Sequence, residues 1–130
     1  MEEVKDRRML ERISIDGAKI CYRMQDEGSL HSRFSAPVPL SDLTWNSIRF
    51  EADASLTTGE IVDLQILIPG EKKIRVRGYL IWNSRSDQKE HNYVVVQLLP
   101  FGQGTEYNPV TTREALKMII NKFKSKSADF

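Results

Sequence analysis

Residues 61–83 read IVDLQILIPGEKKIRVRGYLIWN, and the alternation in this stretch decides the fold class. Val62, Leu64, Ile66 and Ile68 fall at every second position of the first run, and Ile74, Val76, Leu80 and Trp82 do so in the second. Side chains two apart share a face only in an extended chain, so both runs read as strands with these residues inward. Arg75, Arg77 and Tyr79 then point outward, and Gly78 interrupts the inward row. Pro69-Gly70 stops the first run.

Working outward, Thr57-Thr58-Gly59 reads as a turn, residues 47–52 as a short strand and residues 84–92 as a polar loop. Residues 93–99 form a nearly continuous apolar run, as expected of a strand covered on both sides. Upstream, Ile13, Ile15, Ile20, Tyr22 and Met24 recur at even spacing around a bend at Asp16-Gly17, which predicts a first long strand with a bulge or kink. Gln25-Asp26-Glu27-Gly28 is a turn, and the following stretch, with Pro37 and Pro39, reads as an edge strand because proline cannot donate to a ladder. After Phe101 the period changes: Leu116, Ile119, Ile120 and Phe123 follow helical spacing behind a Thr111-x-x-Glu114 capping box. The expectation is an all-β domain, a six-stranded antiparallel barrel with a C-terminal α-helix as its lid. A flexible arm occupies residues 1–12, the barrel and helix residues 7–124, and a frayed tail residues 125–130.

With 130 residues the chain has room for one domain and a real core. Nineteen Lys and Arg nearly cancel eighteen Asp and Glu, so no global positive field draws in DNA, RNA or an anionic bilayer. An anion must be held by a local cluster. Cys21 is the sole cysteine, which excludes an internal disulfide, and with His31 and His91 it forms no metal-ligand spacing. The N-terminus is charged where a secretory signal is apolar, and no run of about 18 apolar residues occurs, so a cytoplasmic protein without membrane insertion is expected. The acidic pairs Glu2-Glu3 and Asp26-Glu27 lack the apolar surroundings that raise a catalytic pKa, and Gly102-x-Gly104 lacks the third glycine of a dinucleotide fingerprint. Nothing here argues for an enzyme.

The chemistry sits in two short elements. Arg8 and Arg12 are spaced R-x-x-x-R beside Arg7, just ahead of the first strand. By itself this is a solvated turn in which Arg7 and Glu11 pair at i, i+4. The second element, Asp42-x-Thr44-x-x-Ser47, falls in the joint before the next strand. Taken in order, the two resemble the PilZ domain, a family of bacterial receptors for cyclic di-GMP, which carries R-x-x-x-R at the barrel's N-terminal edge and D/N-x-S-x-x-G after the second strand. The resemblance continues through Ile48-Arg49-Phe50, Thr58-Gly59, Leu67-Ile68-Pro69, residues 78–82 and Tyr93-Val94-Val95-Val96-Gln97-Leu98, roughly residues 7–100 in all.

The resemblance implies a PilZ-like barrel that binds cyclic di-GMP through Arg7, Arg8, Arg12, Asp42, Thr44 and Ser47, without a further cofactor. It also implies a signal passed to an effector protein in motility, biofilm or virulence. The residue types suit the ligand: an Arg fork pairs with a guanine O6/N7 edge, stacks on its plane or binds phosphate, and a carboxylate accepts from guanine N1–H and N2–H. Two positions depart from the pattern. Thr44 replaces the usual Ser, and Ser47 replaces Gly, where a side chain costs about 1 kcal/mol if the residue must be left-handed. Trp45 is expected to pack at the rim, and Trp82 matches a family core position. Because the domain fills the chain, the ordered arm is expected to present the output surface to an effector protein. The alternatives are a divergent PilZ-like interaction module that no longer binds the nucleotide, and a nucleic-acid-binding barrel, for which Arg75, Arg77 and Tyr79 offer only part of a basic and aromatic face.

Overall fold

The computed structural model describes residues 12–24, 33–52, 56–84 and 92–127. Arg7, Arg8, the acidic pairs, the turn at residues 25–28 and most of the 84–92 loop lie outside the described residues. Six strands, β1 (Lys19–Met24), β2 (Val38–Leu43), β3 (Ser47–Glu51), β4 (Ile61–Leu67), β5 (Ile74–Asn83) and β6 (Tyr93–Leu98), precede one helix, α1 (Val110–Ser127). All pairings are antiparallel, and the ring closes in the order β1-β2-β3-β6-β5-β4. This is the six-stranded antiparallel barrel with a C-terminal helix that the alternation predicts.

The inner wall is built from the every-second-residue positions. Val62, Leu64 and Ile66 of β4, Phe50 of β3, and Val94 and Val96 of β6 are fully or almost fully buried. α1 packs on the barrel through Leu116, which is 0% exposed, and Ile119, both part of the same core. Truncation of a side chain buried like Leu116 costs about 2–5 kcal/mol, and Ile119, Ala115, Ile120 and Phe123 add to the helix's packing.

Two tight connections follow from residue chemistry. Ile68-Pro69-Gly70-Glu71 is a turn in which Glu71 N–H donates to Ile68 O (3.0 Å), proline occupying the second position and Gly70, at φ 80°, the third. Gly78 is required by close approach: a Cβ there would lie 2.3 Å from the Gln97 carbonyl oxygen and 2.6 Å from Val96 Cγ1.

Four expectations need correction. The stretch holding Pro37 and Pro39 contributes β2, which is part of the closed ring and not an edge strand. Its seam with β1 is nevertheless thin, with only Lys19↔Pro39 and Ile20↔Val38 as strand partners, and Leu40 N–H resumes the bonding beyond the proline by donating to Ala18 O (3.1 Å). Trp82 is not inward. A bulge between Leu80 and Trp82 inserts Ile81, and both Ile81 (46% exposed) and Trp82 (48%) face outward. β6 is not covered on both sides; Val94, Val96 and Leu98 are buried while Tyr93, Val95 and Gln97 are half-buried.

The Thr111 capping box does not form either. α1 begins at Val110, and exposed Glu114 lies against its neighbour Arg113 (3.6 Å). The segment entering the helix is held instead by buried Asn108. Its Nδ2 donates to Arg77 O (2.9 Å) and Leu99 O (3.1 Å), and its Oδ1 accepts from Arg77 N–H (2.9 Å), so one side chain ties the helix entry to β5. The helix itself runs past Lys124 to Ser127.

Candidate functional site

The segment ahead of β1 does not continue the strand. Gly17, at φ 78°, turns the chain, and Ile13 forms a separate antiparallel bridge to Leu43 at the end of β2. Ile13 N–H donates to Leu43 O (3.0 Å) and Leu43 N–H to Ile13 O (2.9 Å). Ser14 Oγ adds a bond to Ser41 O (2.9 Å). Ile13 and Leu43 are both buried, so the bridge is anchored in the core. In an antiparallel pairing the residues flanking the bridge oppose one another, which sets exposed Arg12 opposite Thr44. Arg12 and the Asp42-x-Thr44-x-x-Ser47 element therefore meet at one rim.

The loop between β2 and β3 is a tight hairpin with Trp45 and Asn46 at its tip. Thr44 N–H donates to Ser47 O (2.8 Å), while Ser47 N–H donates to the Thr44 hydroxyl (3.0 Å). A side-chain oxygen thus takes the place that a backbone carbonyl has in an ordinary turn, the local bonding that Ser and Thr offer. The same Oγ1 accepts from Asn46 N–H (3.2 Å) and donates to Asn46 Oδ1 (2.9 Å), with Ser47 Oγ at 3.1 Å. A hydroxyl has one donor and two acceptor positions, so these bonds fill Thr44, which is 2% exposed. Its contribution is to shape the loop. Threonine keeps the oxygen and buries its extra methyl.

Ser47 opens β3 and pairs with Gln97 of β6, so its backbone is extended. The left-handed conformation that would make a side chain costly at this position is not the one the hairpin uses. What remains of the glycine argument is clearance at the rim, where Ser47 is half-buried.

Asp42 is buried, and its Oδ2 lies 2.6 Å from Nη2 of Arg49, the cross-strand partner on β3. Arg49 is a residue of this rim that sequence reasoning passed over. Counting outward from the hairpin tip pairs residue 43 with 48 and 42 with 49, so the register would have revealed it. Two buried donors at the same rim, Trp45 Nε1 and Arg49 Nε, make no hydrogen bond among the described residues. A buried N–H without a partner costs about 1–3 kcal/mol, which marks this rim as one that gains from an added acceptor.

Of the six residues the sequence singles out, the structure brings Arg12, Asp42, Thr44 and Ser47 together, while Arg7 and Arg8 lie outside the described residues. Trp45 is half-buried, in keeping with packing at the rim. No helix among the described residues is long and apolar enough to cross a membrane.

No protein-family model matches the chain, and no curated protein matches it either. Among solved structures the chain is similar to the Bacillus subtilis inhibitor of motility (MotI/DgrA), with a TM-score of 0.59 and 15% sequence identity. The match covers 92% of this chain and 53% of that one, so this chain spans about half the length of its structural neighbour. The likeness is one of fold: a PilZ-like barrel.

Proposed function

We propose that the chain is a cytoplasmic, non-enzymatic PilZ-like receptor for cyclic di-GMP, with the ligand held between the N-terminal arm and the β2–β3 hairpin. The observation that carries this reading is the Ile13↔Leu43 bridge, which sets Arg12 beside the Asp42-x-Thr44-x-x-Ser47 hairpin. Arg12, with Arg7 and Arg8 on the arm, supplies forks for guanine edges and phosphates. Asp42, steadied by Arg49, supplies an acceptor for a guanine N–H edge. Thr44 shapes the hairpin, Ser47 borders the ligand, and the unpartnered Trp45 and Arg49 donors find an acceptor in it. Ordering of the arm then changes the surface seen by an effector protein, in a pathway of motility or biofilm formation.

The test is a calorimetric titration with cyclic di-GMP. Contacts from charged arginines, each worth about 1.5–3 kcal/mol, give an affinity near micromolar after the cost of ordering the arm. The dinucleotide binds more tightly than GMP because it alone reaches both elements at once. Arg12→Ala weakens binding about ten-fold or more with the fold intact, and Arg75→Ala leaves it nearly unchanged. Equal affinities for the parent and Arg12→Ala would contradict the assignment.

A second reading has one observation in its favour. Asp42 is already paired with Arg49 and the Thr44 hydroxyl is filled, so much of the hairpin is satisfied without a ligand. A PilZ-like module that binds a partner without the nucleotide would show no heat in the same titration. It would also show no thermal shift at about 100 micromolar ligand, where a 1 micromolar site stabilises by about 2.7 kcal/mol.

A further inference from the structure

The other wall of the barrel carries a feature that the nucleotide reading does not use. On the outer face, Arg23 of β1, Asp63 of β4 and Arg77 of β5 stand in one row across three strands. Asp63 Oδ2 accepts from Arg23 Nη2 (3.0 Å) and Oδ1 from Arg77 Nε (2.7 Å). Two residue pairs further along, Gln65 pairs with Arg75, and Lys73 stands just before β5 begins. Lys73, Arg75 and Arg77 thus alternate with the buried Ile74 and Val76, so all three side chains leave the same face. This face floors a cleft of about 1050 Å³, walled on the far side by Tyr107, Thr111 and Thr112 at the entry to α1.

The charge of the cleft is one-sided. Arg23, Lys73, Arg75 and Arg77 line it, and Asp63 is the only acid among the described residues that do. That carboxylate is spent on Arg23 and Arg77, while Lys73 and Arg75 are exposed and make no ion pair among the described residues. Like charges side by side on one strand repel, and a ligand with matching negative charges relieves the repulsion.

The geometry selects among anionic ligands. Alternate residues on a strand are about 6.8 Å apart, so the row Lys73, Arg75, Arg77 matches carboxylates at alternate positions of an extended peptide. Single-stranded nucleic acid asks for aromatic faces along the groove. Two aromatics line the cleft, and the Phe34 ring is covered by the Arg23 guanidinium at 4.4 Å, which leaves Tyr107 as a single stacking face and not a row of them. The cleft is also remote from the nucleotide rim. In the ring, β4 and β5 are separated from β2 and β3 by β1 on one side and β6 on the other.

We propose that this cleft docks an extended acidic segment of a partner protein, its carboxylates at alternate positions over Lys73, Arg75 and Arg77. The proposal rests on the receptor reading only for the link to cyclic di-GMP; the docking surface itself stands on the β4–β5 face.

The experiment is fluorescence anisotropy on the full chain with a labelled peptide of alternating glutamate and threonine. A lysine–threonine peptide and a single-stranded oligonucleotide serve as competing probes. The acidic peptide binds, and its affinity falls as salt rises from about 50 to about 300 mM. The double variant Lys73→Glu/Arg75→Glu, at exposed positions with no ion pair among the described residues, keeps the fold, loses about ten-fold or more in peptide affinity and keeps its cyclic di-GMP affinity. Arg12→Ala shows the opposite pattern. Peptide binding that is absent, or equal in parent and double variant, would overturn the proposal, as would tighter binding of the oligonucleotide than of the peptide. Peptide binding without any cyclic di-GMP binding would count against the receptor reading alone and leave the docking surface supported.

Discussion

Thr44 and Ser47 show how much of a binding loop is decided by its own internal bonds. The Thr44 hydroxyl accepts from Ser47 N–H at 3.0 Å and so closes the hairpin that carries both residues. A D-x-[S/T] pattern is therefore a shape requirement before it is a contact requirement. Ser47 has an extended backbone paired with Gln97, so Ser47→Gly relieves no left-handed strain. It removes a side chain from the rim and adds about 0.5–1 kcal/mol of unfolded-state entropy. The expected result is a lower melting temperature together with a few-fold tighter affinity for cyclic di-GMP, read by calorimetry. Affinity several-fold weaker than the parent would show that the serine hydroxyl is itself a ligand contact. Arg12 and Asp42 were singled out through the motif resemblance, because their residue types suit the chemistry of the proposed ligand. Arg49 was not, since its role depends on cross-strand register and an arginine on a strand looks like any solvated one.

The row Arg23–Asp63–Arg77 ties β1, β4 and β5 together, and its strength depends on pH in a defined direction. Burial alone would push the Asp63 carboxyl up, but hydrogen bonds and charge from Arg77 and Arg23 outweigh it and hold the carboxyl below the usual range. A group whose folded value is depressed contributes stability that is whole above the unfolded value, roughly pH 4, and is lost as the pH falls through the lower folded value. Asp63→Asn is therefore expected to lower stability at neutral pH by about 1.5–3 kcal/mol, the range for hydrogen bonds to charged groups. Denaturation series at neutral and acid pH check this: the gap between parent and variant closes as the Asp63 carboxyl protonates. A gap unchanged at acid pH would mean that the loss comes from packing and not from the charge. At this scale the strands were readable wherever a wall has one apolar face, as in β4. They were misread where alternation breaks without a mark in the residues, as at the Ile81 bulge that turns Trp82 outward. The start of α1 was misread for a related reason. The helix begins before Thr111, and its entry is held by tertiary bonds from Asn108 to β5 that no local pattern marks.

For the whole molecule, barrel closure separates two surfaces. The β2–β3 rim gathers Arg12 and the hairpin through the Ile13↔Leu43 bridge, and the β4–β5 wall gathers a row of cations around the cleft beside α1. Closure was legible as an architecture from six short strands and one amphipathic helix. The pairing of β1 with β4 was not, because it joins segments about 40 residues apart in sequence. Under the proposed reading the second messenger binds on one side and the other is left for a partner. The most direct measurement is an amide chemical-shift map of the full chain on addition of cyclic di-GMP. The account predicts that the largest shifts fall at residues 12–14 and 42–49, including the Trp45 indole N–H, with the β4–β5 wall unmoved. No shifts at saturating ligand, or shifts centred on residues 73–79, would contradict it.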